Sequence, residues 1–236
     1  MSASLPNDSS VMYSSSTPIT IEPFTIVAWV NANDGFSAQR YVCGLCSDNQ
    51  DFVGVGVTGG GDDAVLLLTY SGINDPTESV SSASVAGAWN HIACVYTADN
   101  DRELFLNGSS DGTDTSDRSV ASHTNIYFNN PVSDGPDNTP GNALVAHAAF
   151  YDTDLSSAQI ASLAAGANPL AVAPSNLVAY YPLNTDFDLT DHAGSYDLTN
   201  SGCSYNSSNP TVDAPPGGSS GIEVIGNYYR TFLGGL

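Results

Sequence analysis

The chain has 236 residues, of which 25 are acidic against four arginines and no lysine; the formal net charge is −21 and 41% of residues are hydrophobic. That balance repels nucleic-acid phosphates and anionic lipid, which argues against nucleic acid and membrane as partners, while the apolar fraction suffices for a sizeable core. No apolar run is long enough to span a bilayer. The first residues, Met1 to Asp8, lack the basic and apolar regions of a secretory signal, so the chain is expected to stay inside its cell, to be processed, or to leave by a route needing no signal.

Short runs rich in β-branched and aromatic residues, separated by Gly, Asn, Asp and Ser clusters, predict strands at 19–21, 24–30, 41–46, 52–57, 65–70, 91–96, 103–106, 126–129, 144–151, 177–182 and 196–199. This spacing belongs to an antiparallel sandwich or barrel. Within 24–30, Phe24, Ile26, Ala28 and Val30 share one face, and Val27 and Trp29 the other. A strand apolar on both sides is central and covered, with Trp29 as a core anchor. Cys43 and Cys46 have zinc-knuckle spacing, but the second pair that would complete a tetrahedral site is missing. On one strand those two thiols face opposite ways. Cys94, inside an alternating strand, packs as a small apolar group; with Cys203 the four are expected as free buried thiols. Asn107-Gly108 after the alternating run 91–96 and 103–106 suits the positive-φ geometry of a type I′ hairpin turn.

One helix stands out at 155–166. Ser156 can cap it, Gln159 completes a capping box, Leu155 and Ile160 form a hydrophobic staple, and Gly166 supplies the stop.

The run Trp89-Asn90-His91-Ile92-Ala93 followed by Leu104-Phe105-Leu106-Asn107-Gly108 resembles the W-x-H-[VI]-A … L-x-[LV]-N-G signature of laminin-G-like, concanavalin-type jelly rolls. Two further blocks fit the same family. The helix Leu155-Ser156-Ser157-Ala158-Gln159-Ile160 follows a strand ending in Phe150-Tyr151-Asp152, and Leu177-Val178-Ala179-Tyr180-Tyr181-Pro182-Leu183 precedes Asp191-His192-Ala193-Gly194. The resemblance implies an all-β antiparallel sandwich with one short helix over 11–206. Residues 1–10 are then an N-terminal arm, 207–221 a Pro/Gly/Ser linker, and 222–236 an apolar segment. Members of this family bind glycans or proteins, some are enzymes, and others are structural.

Catalytic patterns are missing. The glycan hydrolases of this fold carry an E-x-D-x-E strand that brings acid and nucleophile together; the four glutamates, Glu22, Glu78, Glu103 and Glu223, form no such pattern. There is no Gly-x-Ser-x-Gly elbow, phosphate-binding glycine loop or His-Glu-x-x-His pair. His91, His123, His147 and His192 are scattered singly; His91 and His147 read as hydrogen-bonded structural histidines, and His192 as a turn partner of Asp191. Calcium is the one inorganic partner the composition suggests, with Asp48, Asp51, Asp134 and Asp137 in two oxygen-rich loops as candidate ligands; the same residues are also good turn formers. No other cofactor is expected. Asn-x-Ser sequons stand at Asn7, Asn107 and Asn206.

The leading expectation is a non-enzymatic structural or adhesion protein on the exterior of a large assembly: a viral capsid decoration or fibre-associated protein, oligomeric in that assembly. There the arm and tail anchor it, through Ile222, Val224, Ile225, Tyr228, Tyr229, Phe232 and Leu233, to other structural proteins, and the acidic sandwich faces solvent and host glycans outside the cell. The alternative is a stand-alone carbohydrate-binding module using exposed aromatics, with Tyr70, Tyr127 and Tyr151 as candidates, although the same tyrosines read first as plugs of the sandwich rim. A cryptic glycan hydrolase ranks last.

Overall fold

The computed structural model describes residues 2–5, 10–32, 40–47, 51–58, 64–71, 76–118, 123–129, 143–183 and 188–216. Its strands are β1 (Ser2–Leu5), β2 (Val11–Ser14), β3 (Phe24–Ala32), β4 (Arg40–Cys46), β5 (Asp51–Val57), β6 (Ala64–Ser71), β7 (Pro76–Ser84), β8 (Asn90–Ala98), β9 (Asp101–Leu106), β10 (Ser109–Asp114), β11 (Asn125–Phe128), β12 (Ala143–Tyr151), β13 (Leu177–Tyr181), β14 (Thr199–Ser201) and β15 (Ser204–Asn206). One helix, α1 (Ser157–Ala164), and a 3-10 turn at Pro169–Ala171 complete the described elements. The first sheet runs β10-β9-β8-β3-β12-β1-β15, with β13 also paired to β12; the second runs β14-β2-β11-β4-β5-β6-β7. Every strand pairing is antiparallel. The protein is an all-β sandwich with one short helix.

Alternation builds the core. Phe24, Ile26, Ala28 and Val30 of β3, Ile92, Cys94 and Tyr96 of β8, and Val145 and Phe150 of β12 point inward and meet Cys43, Leu45, Val53, Val55, Leu67 and Phe128 from the second sheet. Each fully buried Val, Leu, Ile or Phe contributes about 1.5–3 kcal/mol over its exposed state. Tyr96 carries a hydroxyl into this interior and satisfies it on the carbonyl of Leu68, at 2.7 Å. Cys43 and Cys46 do face opposite ways: Cys43 joins the interior and Cys46 an outer cluster. All four cysteines are buried.

The helix forms as its local signals dictate. Ser156 Oγ accepts from Gln159 N while Gln159 Oε1 accepts from Ser156 N, and the amides of Gly166 and Ala167 return to the carbonyls of Leu163 and Ser162. Leu155, Ile160 and Leu163 bury against Val27, Ala93, Val95, Phe105, Ala149 and Tyr151 on the outer face of the first sheet. Asn107 (φ 50°) and Gly108 (φ 84°) make the positive-φ turn between β9 and β10. A Cβ on Gly108 would come 3.1 Å from Ala161 Cα, so that glycine also admits α1.

Four expectations are corrected. Residues 19–21 are not a strand: Ile19 is buried, but Ile21 is 68% exposed beside the turn into β3. Residues 2–5 are not an arm but β1, inserted between β12 and β15 with Ala3 opposite Val145 and Tyr205; Ala3 is buried there, but with serine on either side no hydrophobic period marks the strand. Residues 207–213 are not a free linker. Trp89 Nε1 donates to Ser208 Oγ at 2.9 Å, Pro210 is buried, and Asp213 closes on Gly166 and Asn168. Finally, β3 is central, between β8 and β12, yet Trp29 is half-buried outside every apolar cluster. The helix covers its side of β3 only as far as Val27.

Candidate functional site

The two sheets treat their outer faces differently. Helix α1, the 3-10 turn and the 207–213 strap lie over the first sheet. On the second, the pairing register arranges three rows of residues. Thr199, Tyr13, Tyr127, Gly44, Gly54 and Leu68 stand side by side across β14, β2, β11, β4, β5 and β6. Asn125, Cys46, Phe52 and Tyr70 form the row on one side of it, and Tyr41, Gly56 and Leu66 the row on the other. Because alternate residues of a strand share a face, this side of the sheet concentrates aromatic rings around a strip of glycine.

The rings interlock. Tyr41 meets Phe52 edge-on, with centroids 4.9 Å apart and planes at 75°. Phe52 lies over Gly44, where a Cβ would stand 2.7 Å from the ring and 2.1 Å from the Val53 carbonyl oxygen. Cys46, Phe52, Leu66 and Leu68 are buried there, with Tyr41 and Tyr127 packed on them at the border. Tyr13 and Tyr127 stack across β2 and β11, with centroids 5.9 Å apart and planes at 21°, and both are half-buried. Burial, then the neighbouring Cys46 and Tyr13, push the Tyr127 phenol above its ordinary value, so its hydroxyl is neutral and can donate. Half-buried stacked rings with hydroxyls at their edges suit a ligand that is apolar on one face and polar around its rim.

Of the predicted sugar-stacking tyrosines, Tyr127 is in this face and Tyr70 occupies a register position beside Phe52. Tyr151 is not available: it is fully buried beneath the 3-10 turn, its hydroxyl donating to the Pro169 carbonyl at 3.3 Å. Tyr13 and Phe52 were missed as site residues. The alternation Val11-Met12-Tyr13-Ser14, whose odd positions face outward, was the available signal for Tyr13. The calcium candidates Asp48, Asp134 and Asp137 lie outside the described residues, and Asp51 is described only by its backbone place at the start of β5. The tail residues Ile222, Val224, Ile225, Tyr228, Tyr229, Phe232 and Leu233 also lie outside them. Among the described residues, no three His, Cys, Asp or Glu side chains converge to hold a metal ion.

The remaining polar groups are mostly structural. His147, at a β-bulge with φ 48°, meets the Tyr180 hydroxyl through Nδ1 at 2.7 Å, and burial lowers its pKa to about 4. His192 pairs with Asp188 at 2.6 Å, not with Asp191. Asp191 organises the turn instead, accepting from the amides of Tyr180, Ala193 and Tyr196. Arg102 is buried at one end of the core, where it meets Asp114 at 3.3 Å and the carbonyls of Asp99, Ser116 and Arg118. Beside it, burial and then Asp99 raise Glu22 to about 7. His91 departs from expectation: it is buried, but Nδ1 has no hydrogen-bond partner.

Residues 5–161 match the model of the Concanavalin A-like lectin/glucanases superfamily. Among solved structures, the chain is similar to a heptameric SAP-like pentraxin from Limulus polyphemus, with TM-score 0.55 and 14% identity over 69% of this chain and 81% of that one. It is also similar to a proposed carbohydrate binding protein from Bacteroides ovatus, with TM-score 0.62 and 16% identity over 91% of this chain and 60% of that one. No curated protein matches the chain in sequence.

Proposed function

Because the chain belongs to the Concanavalin A-like lectin/glucanases superfamily, we propose that it is a non-catalytic carbohydrate-binding domain whose ligand sits on the outer face of the second sheet. The observation that carries this reading is the stacked, half-buried pair Tyr13–Tyr127 on the face that no described helix covers. A pyranose lays its C–H face on such a ring, while its hydroxyls reach the tyrosine hydroxyls and the side chains of Asn125 and Thr199 in the flanking positions. The formal charge of −21 repels sulfated and sialylated chains, so the ligand in this reading is a neutral glycan.

The site of action in this reading is extracellular, where neutral glycans are displayed. No helix among the described residues is long and apolar enough to cross a membrane. Display on a viral particle, with anchoring and oligomerisation through 222–236, rests on residues outside those described, and no observation favours it. A neutral-glycan array followed by calorimetric titration tests the proposal, with and without added calcium. Tyr13→Ala and Tyr127→Ala should each weaken binding about tenfold, or by about 1.4 kcal/mol, with unchanged circular dichroism. An array without hits, or affinity indifferent to both substitutions, overturns it.

A further inference from the structure

The outer face of the first sheet has two halves. Under α1 it is apolar, built on Val27, Ala93, Phe105 and Ala149. One pleat further on, the same face carries His91, Trp29 and Ala146 in one row and Asn31 and Leu144 in the next. Ser2 occupies the first row two strands beyond Trp29. His91 Nδ1, Asn31 Oδ1 and Ser2 Oγ are all buried without a hydrogen-bond partner. Leaving one such atom unpaired costs about 1–3 kcal/mol. Three of them on one side of one sheet mark a place where a polar occupant belongs.

Trp29 stands at the centre of this group. Its ring meets the edge of His91, with centroids 5.4 Å apart and planes at 72°, and it is half-buried. Adjacent strands lie about 4.8 Å apart and alternate residues of a strand about 6.6 Å apart, so Trp29, His91 and Asn31 frame an area the size of one six-membered ring. Nearby, the 207–213 strap is pinned at Ser208 by Trp89 and at Asp213 by the end of the helix.

We propose that Trp29, His91 and Asn31, with Ser2 on the flank, form a second binding site for a single neutral, polyhydroxylated ring. The ring stacks on the indole and its hydroxyls pair with the orphaned atoms. A hydroxyl both donates and accepts, so it can satisfy Asn31 Oδ1, Ser2 Oγ and either tautomer of His91. Burial lowers His91 to about 3, so the imidazole is uncharged and offers an anion no positive charge. The site is on the opposite sheet from Tyr13 and Tyr127 and stands independently of the reading given to them.

The two tryptophans make it testable in the full chain. The indole N–H resonances are recorded by NMR and assigned with Trp29→Phe, then followed during titration with the methyl glycosides of glucose, galactose and mannose. At least one glycoside should move the Trp29 resonance saturably. Asn31→Ala should weaken that response at least tenfold, with the Trp89 resonance reporting an intact fold, and Tyr127→Ala should leave it unchanged. The proposal is overturned if no glycoside moves Trp29, or if the response survives Asn31→Ala. It is equally overturned if Tyr127→Ala abolishes the response, which would assign the ligand to the second sheet. Crystals soaked in the responding glycoside that show only ordered water beside Trp29 also overturn it.

Discussion

The outer faces of the two sheets start from the same pattern and end differently. Both alternate in and out along their central strands and turn an apolar cluster outward. On the first sheet the chain returns after β12 as α1 and a strap, and roofs Val27, Ala93 and Phe105 with Ile160 and Leu163. On the second, Cys46, Phe52, Leu66 and Leu68 are bordered by tyrosines. A covered face contributes stability and specifies the fold, whereas a face bordered by half-exposed rings is free to take a ligand. The difference lies in where the connections go, not in the strands themselves.

The comparison breaks most visibly if the faces turn out energetically alike. Ile160, fully buried under the helix, should cost about 2–5 kcal/mol when cut to alanine, read from the midpoint of urea denaturation. Tyr127→Ala on the other face should cost about 1 kcal/mol or less, because half-exposed side chains forfeit less packing. Equal losses would make the second face core and remove its claim to a ligand.

These contrasts also show how far the sequence could be read. The helix was legible to the residue, because Ser156, Gln159 and Gly166 act through local hydrogen bonds that need no tertiary context. The turn at Asn107-Gly108 and the central position of β3 were legible for the same reason: positive φ and two-sided apolarity are local. Strands β1, β2, β7, β10, β14 and β15 were not: β2 is only four residues long, and Ser-Ala-Ser, Pro-Thr-Glu-Ser, Ser-Ser-Asp-Gly and Thr-Asn-Ser carry no hydrophobic period. The pairing partner imposes their extended form. The site was half legible: Tyr127 could be named from strand chemistry, whereas Tyr151 was misplaced because its covering, the 3-10 turn at Pro169–Ala171, is a tertiary event. Likewise Trp29 has the residue type of a core anchor but a register just past the edge of the helix.

A smaller effect sharpens the picture of the second face. Gly44 has no room for a methyl group between the Phe52 ring and the Val53 carbonyl. Gly44→Ala should therefore destabilise by about 1–3 kcal/mol, and by displacing Phe52 should also disturb glycan binding. Unchanged stability would mean that the ring is loosely held and the face is not a fixed platform.

Acid titration separates the first sheet's outer histidines from the core's end. His91 and His147 have folded pKa values near 3 and 4, below their ordinary 6.5. The unfolded chain therefore binds more protons, and their contribution to stability is lost as pH falls from about 6.5. Glu22 runs the other way: raised to about 7 from 4.5, its contribution is present below 4.5 and lost as pH rises towards 7. Between these values two groups favour higher pH and one opposes them. Glu22→Gln should thus steepen the rise of stability from pH 4.5 to 6.5, as measured by denaturant midpoints at each pH. An unchanged rise in the variant would mean that the Glu22 carboxyl titrates alike in the folded and unfolded chain.

The smallest expected effect concerns the strap, and it decides whether the first face is closed by design or merely crossed by passing chain. Ser208→Ala removes the acceptor for Trp89 Nε1 while leaving Pro210 and the Asp213 contacts in place. Since one such hydrogen bond contributes about 0.5–1.5 kcal/mol, the global midpoint should move little. Local opening is the sensitive quantity: amide exchange at 209–213 should accelerate severalfold with the sheet amides unaffected, because only that segment has lost a tether. A strap that exchanges as fast in the wild type as in the variant would be a linker after all.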